Sequence, residues 1–131
     1  MDRTVLASLE KRLRQDAARI FEAGVDRVRP ARCILEYCSR KGDYLHLGPD
    51  GVDLSQVERV IILGAGKASA ALAAALAPLL TGTQMAGLIV TKYGHGVEAG
   101  PVRIREAGHP VPDENGVKGA GELLALAGSA G

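Results

Sequence analysis

The segment Val60-Ile61-Ile62-Leu63, closed by Gly64-Ala65-Gly66, restricts the fold of this chain more than any other stretch. Four consecutive aliphatic residues without polar alternation predict a strand covered on both faces, as in a parallel sheet with helices above and below. The glycines permit a tight turn, and residues 67–80, dense in alanine, read as the helix that follows. Thr81-Gly82-Thr83 breaks that helix, and Ala86-Gly87-Leu88-Ile89-Val90-Thr91 forms the next apolar strand. Residues 60 to 91 number 32, close to the roughly 30 residues of one strand–helix–strand crossover.

The rest of the chain extends this unit. Residues 3–24 carry Leu6, Leu9, Leu13, Ala17, Ile20, Phe21 and Gly24 at three- and four-residue steps. Arg12, Arg14, Gln15, Arg19 and Glu22 take the opposite side, the pattern of an amphipathic helix. Pro30 suits the first turn of a second, short helix over residues 31–38. Residues 42–51 read as an irregular connection with a turn at Pro49-Asp50-Gly51. Val102-Arg103-Ile104-Arg105 alternates, predicting a strand with one face toward solvent or polar groups. After a turn at His109-Pro110-Val111-Pro112, Asp113 is a good N-cap for a helix running to about residue 127.

These elements define an α/β chain, a Rossmann-like three-layer sandwich about a parallel sheet. The sheet is incomplete at the C-terminal end. Three strands are few for a sheet of this kind. Either neighbouring copies in a homo-oligomer complete it, or the chain is the leading piece of something longer; the second is the expectation. The organisation is a helical lead-in over residues 1–56 and a glycine-rich strand–helix–strand core over residues 57–131.

Composition narrows the function. Aromatic residues make up only 3% and there is no Trp, so the core must be built from Ala, Leu, Val and Ile. The formal net charge is +1. Residues 1–59 carry 11 basic and 10 acidic groups and residues 60–131 carry 5 and 5, which excludes the basic patch of a nucleic-acid binder. No apolar stretch nears the roughly 20 residues of a membrane span. The start, Met1-Asp2-Arg3-Thr4, lacks the apolar core of a signal peptide. Cys33 and Cys38 read as free thiols, and the expected location is cytoplasmic.

Three segments can carry chemistry. In Leu63-Gly64-Ala65-Gly66-Lys67-Ala68-Ser69, Gly64 and Gly66 let backbone N–H groups approach an anion at a helix N-terminus. Lys67 opposes the helix dipole there, which a bound phosphate or carboxylate would justify. The segment is not a P-loop, because Ile61 stands where that motif needs glycine. It departs from the dinucleotide fingerprint as well: Ser69 replaces the third small residue, and the second strand ends in Thr91-Lys92 rather than an acid. Thr91-Lys92-Tyr93-Gly94-His95-Gly96 lies at the second strand's carboxyl end, where Lys92 and His95 can reach the same crevice. Glu106-Ala107-Gly108-His109-Pro110-Val111-Pro112-Asp113-Glu114-Asn115 places His109 at a third strand end. Each segment has a plainer reading: a tight turn, a solvated glycine-rich loop and a rigid proline turn. The spacing of His46, His95 and His109 matches no common metal-ligand pattern.

In order and spacing, these segments together with Gln15-Asp16-Ala17-Ala18-Arg19-Ile20-Phe21-Glu22-Ala23-Gly24 resemble the N-terminal domain of glycerate 2-kinases. That is the family whose C-terminal part is called the MOFRL domain. The resemblance implies transfer of the ATP γ-phosphoryl group to D-glycerate, giving 2-phosphoglycerate, with Mg²⁺. It makes Lys67 the catalytic cleft lysine. Gly64 and Gly66 become backbone approach points, with Ser69 beside them, and Lys92, His95 and His109 become cleft residues. Family members are much longer, and a Ser/Gly-rich loop follows the helix on which this chain ends. The expectation is a kinase parent, with the C-terminal domain absent from this chain and the chain inactive alone. Two alternatives stay open: an NAD(P)-dependent oxidoreductase of the hydroxypyruvate reductase type, and a non-enzymatic sugar-acid or phosphate-binding module.

Overall fold

The computed structural model describes residues 3–130, and expectations resting on Met1, Asp2 and Gly131 lie outside them. Helices α1 (Arg3–Arg27) and α2 (Pro30–Tyr37) lead into an antiparallel meander of β1 (Cys38–Lys41), β2 (Tyr44–Leu47) and β3 (Asp50–Asp53). A 3₁₀ turn (Leu54–Gln56) precedes β4 (Val60–Ala65), α3 (Ser69–Leu76) and a second 3₁₀ turn (Ala77–Leu80). The chain continues through β5 (Met85–Lys92), β6 (Val102–Ala107) and α4 (Glu114–Gly128). Strands β4, β5 and β6 form a parallel sheet in that order.

The layering follows from the two-residue period of β5. Ile89 packs with Ala70 and Ala73 of α3, while a Cβ added to Gly119 of α4 would meet Val90 Cγ2 at 2.6 Å. Successive strand residues face opposite sides, so α3 and α4 cover opposite faces of the sheet. The expected three-layer α/β arrangement is present. Small residues make it close: Ala70 and Ala73 let α3 sit against β5, and Gly119 does the same for α4. Residues 93–101 return from β5 to β6 without a helix, burying Ala99 beside Ala70 and Ala73. Parallel connections usually take a dozen or more residues.

Four expectations change. Strand β4 is half-buried to exposed rather than covered on both faces, because it lies at the sheet edge. The sandwiched position belongs to β5, where Leu88 and Ile89 are each only 1% exposed. Residues 42–51 are not irregular: they belong to the meander. Lys41 pairs with Tyr44 and Leu47 with Asp50, so each hairpin turns on two residues. Gly42 and Gly48 supply the positive φ (61° and 60°) at the first turn position. The second turn is therefore Gly48-Pro49, with Asp50 and Gly51 already in β3. The helix expected over 67–80 tightens to 3₁₀ from Ala77, beside Pro78, whose missing N–H cannot continue the α-helical ladder. Cys38 begins β1, buried, while Cys33 stays on α2; no disulfide joins them.

The meander is anchored from its first strand. Arg40 Nη1 donates to the carbonyls of Leu79 (3.1 Å) and Thr81 (2.6 Å), and Leu45 and Leu54 pack with Leu80 in a second core. Pro30 occupies the first turn of α2, as its fixed φ favours. Helix α1 forms over its predicted span and three residues beyond it, yet none of its residues is buried. Its apolar stripe stays in solvent, with Ile20 75% and Phe21 72% exposed. Arg32 bridges Asp26 and Glu36, tying α1 to α2 by charge.

Candidate functional site

Parallel pairing places three chain exits at one edge. Ala65 of β4 lies beside Val90, and Lys92 of β5 beside Ala107 of β6. The turns that follow are stitched together: the Gly66 amide donates to Val90 O at 2.9 Å and the Tyr93 amide to Ala107 O at 3.2 Å. Lys67, Lys92, His95 and His109 are thus brought to the same edge of the sheet, as the sequence segments imply. Three of the four are exposed and Lys92 is half-buried. Among the described residues, none of these four side chains makes a hydrogen bond or ion pair.

The two glycines after β4 do different work. Gly66 has φ +115°, a conformation that L side chains rarely adopt. Gly64 sits at a close approach, where an added Cβ would meet Ile89 Cδ1 at 2.8 Å and Ser69 Cβ at 3.3 Å. Ser69 is already engaged: its hydroxyl donates to Gly66 O at 2.5 Å and its amide to the same carbonyl at 3.2 Å. It therefore closes the turn rather than offering a donor to an anion. Helix α3 has no side-chain cap, so its first-turn amides lack an internal acceptor of the kind that capping supplies. Near the end of β5 the Thr91 hydroxyl is buried with no hydrogen-bond partner among the described residues.

A polar cluster on the other side of the edge was not anticipated from sequence. Tyr93 Oη donates to Asp113 Oδ2 at 2.7 Å, and Asn115 Nδ2 donates to Tyr93 Oη at 2.8 Å. Asp113 Oδ1 accepts the Gly116 amide at 3.0 Å, the N-cap bond expected for α4. The Tyr93 hydroxyl, followed by the amides of Gly108 and Gly116, holds the Asp113 carboxyl below its ordinary range. The carboxylate in turn raises the Tyr93 phenol, with Asn115 opposing. Glu106 Oε1 accepts the Gly96 amide at 2.8 Å. The sequence signal was available, since Tyr93, Asp113 and Asn115 all stand in strand-end segments. Only the fold shows that residues 20 and 22 apart in sequence meet.

This edge is an open surface. One groove of about 490 Å³ opens beside it, lined by Pro112, Asp113, Glu114, Val117 and Lys118, and another of about 560 Å³ runs along β6 and α4, lined by Leu88, Arg103, Arg105 and Glu122 among others. There Glu122 is paired with both arginines. His46 is on β2, in the other sheet, packed edge-on against Tyr44 with ring centroids 4.8 Å apart. No group of three or more His, Cys, Asp or Glu side chains suited to a metal ion occurs among the described residues. No helix among them is long and apolar enough to cross a membrane.

Comparison with known proteins adds identity to this geometry. Residues 16–131 match the family model described as "Domain of unknown function (DUF4147)". An Agrobacterium vitis protein that carries the provisional name hydroxypyruvate reductase is 38% identical over 112 residues, covering 86% of this chain and 22% of its own. Glycerate 2-kinase of Pyrococcus horikoshii is 30% identical over 114 residues, covering 87% of this chain and 25% of its own. Among solved structures, a Pyrococcus horikoshii protein superimposes with a TM-score of 0.76 at 28% identity, over 90% of this chain and 26% of that one. The Thermotoga maritima glycerate kinase superimposes with a TM-score of 0.63 at 30% identity, over 88% of this chain and 25% of that one. The chain thus spans about a quarter of the length of the relatives it matches.

Proposed function

The chain belongs to the DUF4147 family, the N-terminal domain of glycerate kinases, and from that premise we propose that it supplies one wall of a glycerate 2-kinase site. The observation that carries this reading is the convergence of Gly66-Lys67, Lys92-His95 and His109 on one edge of the parallel sheet. In open α/β sheets, ligands bind beyond the carboxyl ends of the strands. Phosphoryl transfer asks the protein mainly for positioning and for positive charge around the transferring group. In this reading Lys67 is the catalytic residue, neutralising charge on the phosphoryl group or on the glycerate carboxylate. Gly64 and Gly66 keep the backbone low enough for an anion to approach, and Lys92, His95 and His109 hold the opposite side of the ligand. Ser69 contributes by shaping the turn.

The residues present suit ATP phosphates and D-glycerate, both anions. They do not form a Mg²⁺ cage. Mg²⁺ is held mainly by substrate phosphates, water and one or two carboxylates; at this edge Asp113 and Glu106 already accept hydrogen bonds from within the chain, and Glu114 pairs loosely with Lys118. An exposed wall cannot by itself exclude water from a reacting phosphate, so the 131-residue chain is proposed to bind these anions without turning them over.

The test is titration of the chain with MgATP and D-glycerate, followed by calorimetry and residue-resolved NMR, beside an assay of ADP release. Binding at residues 66–67 and 92–95 without ADP is the expected outcome. Silence at those amides overturns the site, and glycerate-dependent ADP release overturns the inactivity of the chain. The hydroxypyruvate reductase name of the Agrobacterium vitis relative supports a second reading, hydride transfer from NAD(P)H. Lys92 stands where a ribose-binding acid is expected in that chemistry, and hydroxypyruvate-driven NADH oxidation by the chain would establish it instead.

A further inference from the structure

The Asp113 carboxylate serves two elements at once. Oδ1 caps α4 through the Gly116 amide, and Oδ2 accepts the hydroxyl of Tyr93, which stands one residue past the end of β5. Asn115, in the first turn of α4, donates to the same phenol oxygen. Tyr93 is followed by a short turn in which the His95 amide donates to Lys92 O at 3.0 Å and the Gly96 amide to Glu106 Oε1. Residues 92–96 are therefore held at four points: their own turn, the Tyr93 amide on Ala107 O, the Glu106 carboxylate and the phenol. Of these, only the phenol connects the segment to another helix. Tyr93 is 48% exposed, so packing alone does not fix its ring, and the two hydrogen bonds define where it sits.

We propose that Tyr93, Asp113 and Asn115 are positioning residues. The Tyr93 hydroxyl, fastened to the capped first turn of α4, holds residues 92–96 so that Lys92 and His95 face the same anion as Lys67. The proposal rests on the reading of this edge as an anion-binding wall. It adds residues that touch no ligand and act through Lys92 and His95. Phenol removal frees the segment without disturbing β5, whose pairing with β4 and β6 does not involve the Tyr93 side chain.

The test uses the ¹⁵N-labelled chain, amide hydrogen exchange and titration with inorganic phosphate. In Tyr93→Phe, exchange at residues 94–97 accelerates roughly fivefold to tenfold, the worth of about one net hydrogen bond. The phosphate needed to shift the amides of residues 92–96 rises by a similar factor, while residues 67–68 respond as in the unaltered chain. Asp113→Ser separates capping from fastening, because a serine hydroxyl still caps a helix but is too short to reach Tyr93. It reproduces the Tyr93→Phe result in smaller measure, because Asn115 still donates to the phenol, with the first turn of α4 still protected. A merely structural role would lower the thermal midpoint and shift both halves of the edge alike. Equal changes at residues 67–68 and 92–96, or unchanged exchange at 94–97, overturn the proposal. If the unaltered chain shows no phosphate response anywhere, the kinase reading falls, and the exchange rates still decide the positioning role.

Discussion

Two strand-to-helix junctions lie at the same edge of the same sheet, and they are built in opposite ways. From β6 to α4 the chain supplies its own anion: Asp113 accepts the Gly116 amide and the Tyr93 hydroxyl. From β4 to α3 there is no side-chain cap, Ser69 turns its hydroxyl back on Gly66 O, and an exposed lysine stands at the helix entrance. A helix N-terminus carries partial positive charge. The α4 junction satisfies it internally and gains rigidity; the α3 junction leaves it available beside Lys67. In the proposed site the first is a support and the second a receptor. The sequence pattern already separates them, with Gly-Ala-Gly-Lys read as an anion approach and Pro-Val-Pro-Asp as a rigid turn ending in an N-cap.

Substitutions at the junctions sharpen this contrast. The largest effect is expected from Gly108→Ala, since its Cβ would stand 2.5 Å from the Val111 carbonyl and near Asp113. Backbone cannot swing aside as a side chain can, and the cost should be about 1–3 kcal/mol, read from the urea midpoint. Gly66→Ala meets no atom within 4 Å, so its penalty is purely conformational, about 1–2 kcal/mol at positive φ. Gly64→Ala presses on the movable Ile89 Cδ1 and should cost about 1 kcal/mol. If Gly64→Ala proves worse than Gly108→Ala, the α3 junction is the tighter of the two and the contrast fails.

Smaller effects separate the electrostatics. Asp113 titrates below its ordinary 3.8 because Tyr93 donates to it. A lowered folded-state pKa contributes stability above the ordinary value, lost as pH falls through the folded one. Tyr93 titrates above its ordinary 10.0; its contribution is complete below that value and lost as pH rises through the folded one. The α4 junction should loosen at both extremes. Tyr93→Phe should abolish the alkaline loss and move the Asp113 midpoint upward, followed by carboxyl ¹³C shifts. The smallest stability change is expected from Lys67→Ala. Relief of an unfavourable charge at the α3 N-terminus should raise the urea midpoint slightly, while phosphate binding at residues 66–67 weakens severalfold. A variant that binds phosphate unchanged would remove Lys67 from the proposed site.

Much of the core and the placement of the candidate residues were legible. The apolar run at residues 60–63, the alanine-rich helix and the strand over 86–91 each carried a local signal. So did Pro30 and Asp113, whose roles at helix starts depend on backbone geometry within a few residues. The meander was not legible, because four-residue strands such as Tyr44–Leu47 hold too little alternation to distinguish from a loop. The exposed stripe of α1 was legible as a pattern and misleading as burial. An amphipathic helix announces that it has an apolar face, and Ile20 and Phe21 show that nothing in these residues covers it.

By itself the sequence determined what depends on neighbours in the chain: helix starts, glycine turns, the small-residue helices and the three strand ends that bear Lys67, Lys92, His95 and His109. Tertiary structure alone decided which strand lies in the middle of the sheet. It put β5 there and left β4 at the edge, because burial depends on what packs across a strand rather than on the strand's own hydrophobicity. Tertiary structure also joined Tyr93 to Asp113 and Asn115. Hydrogen bonds are short and directional, and only the closing of β5, β6 and α4 on one another brings residues so far apart in sequence within that reach.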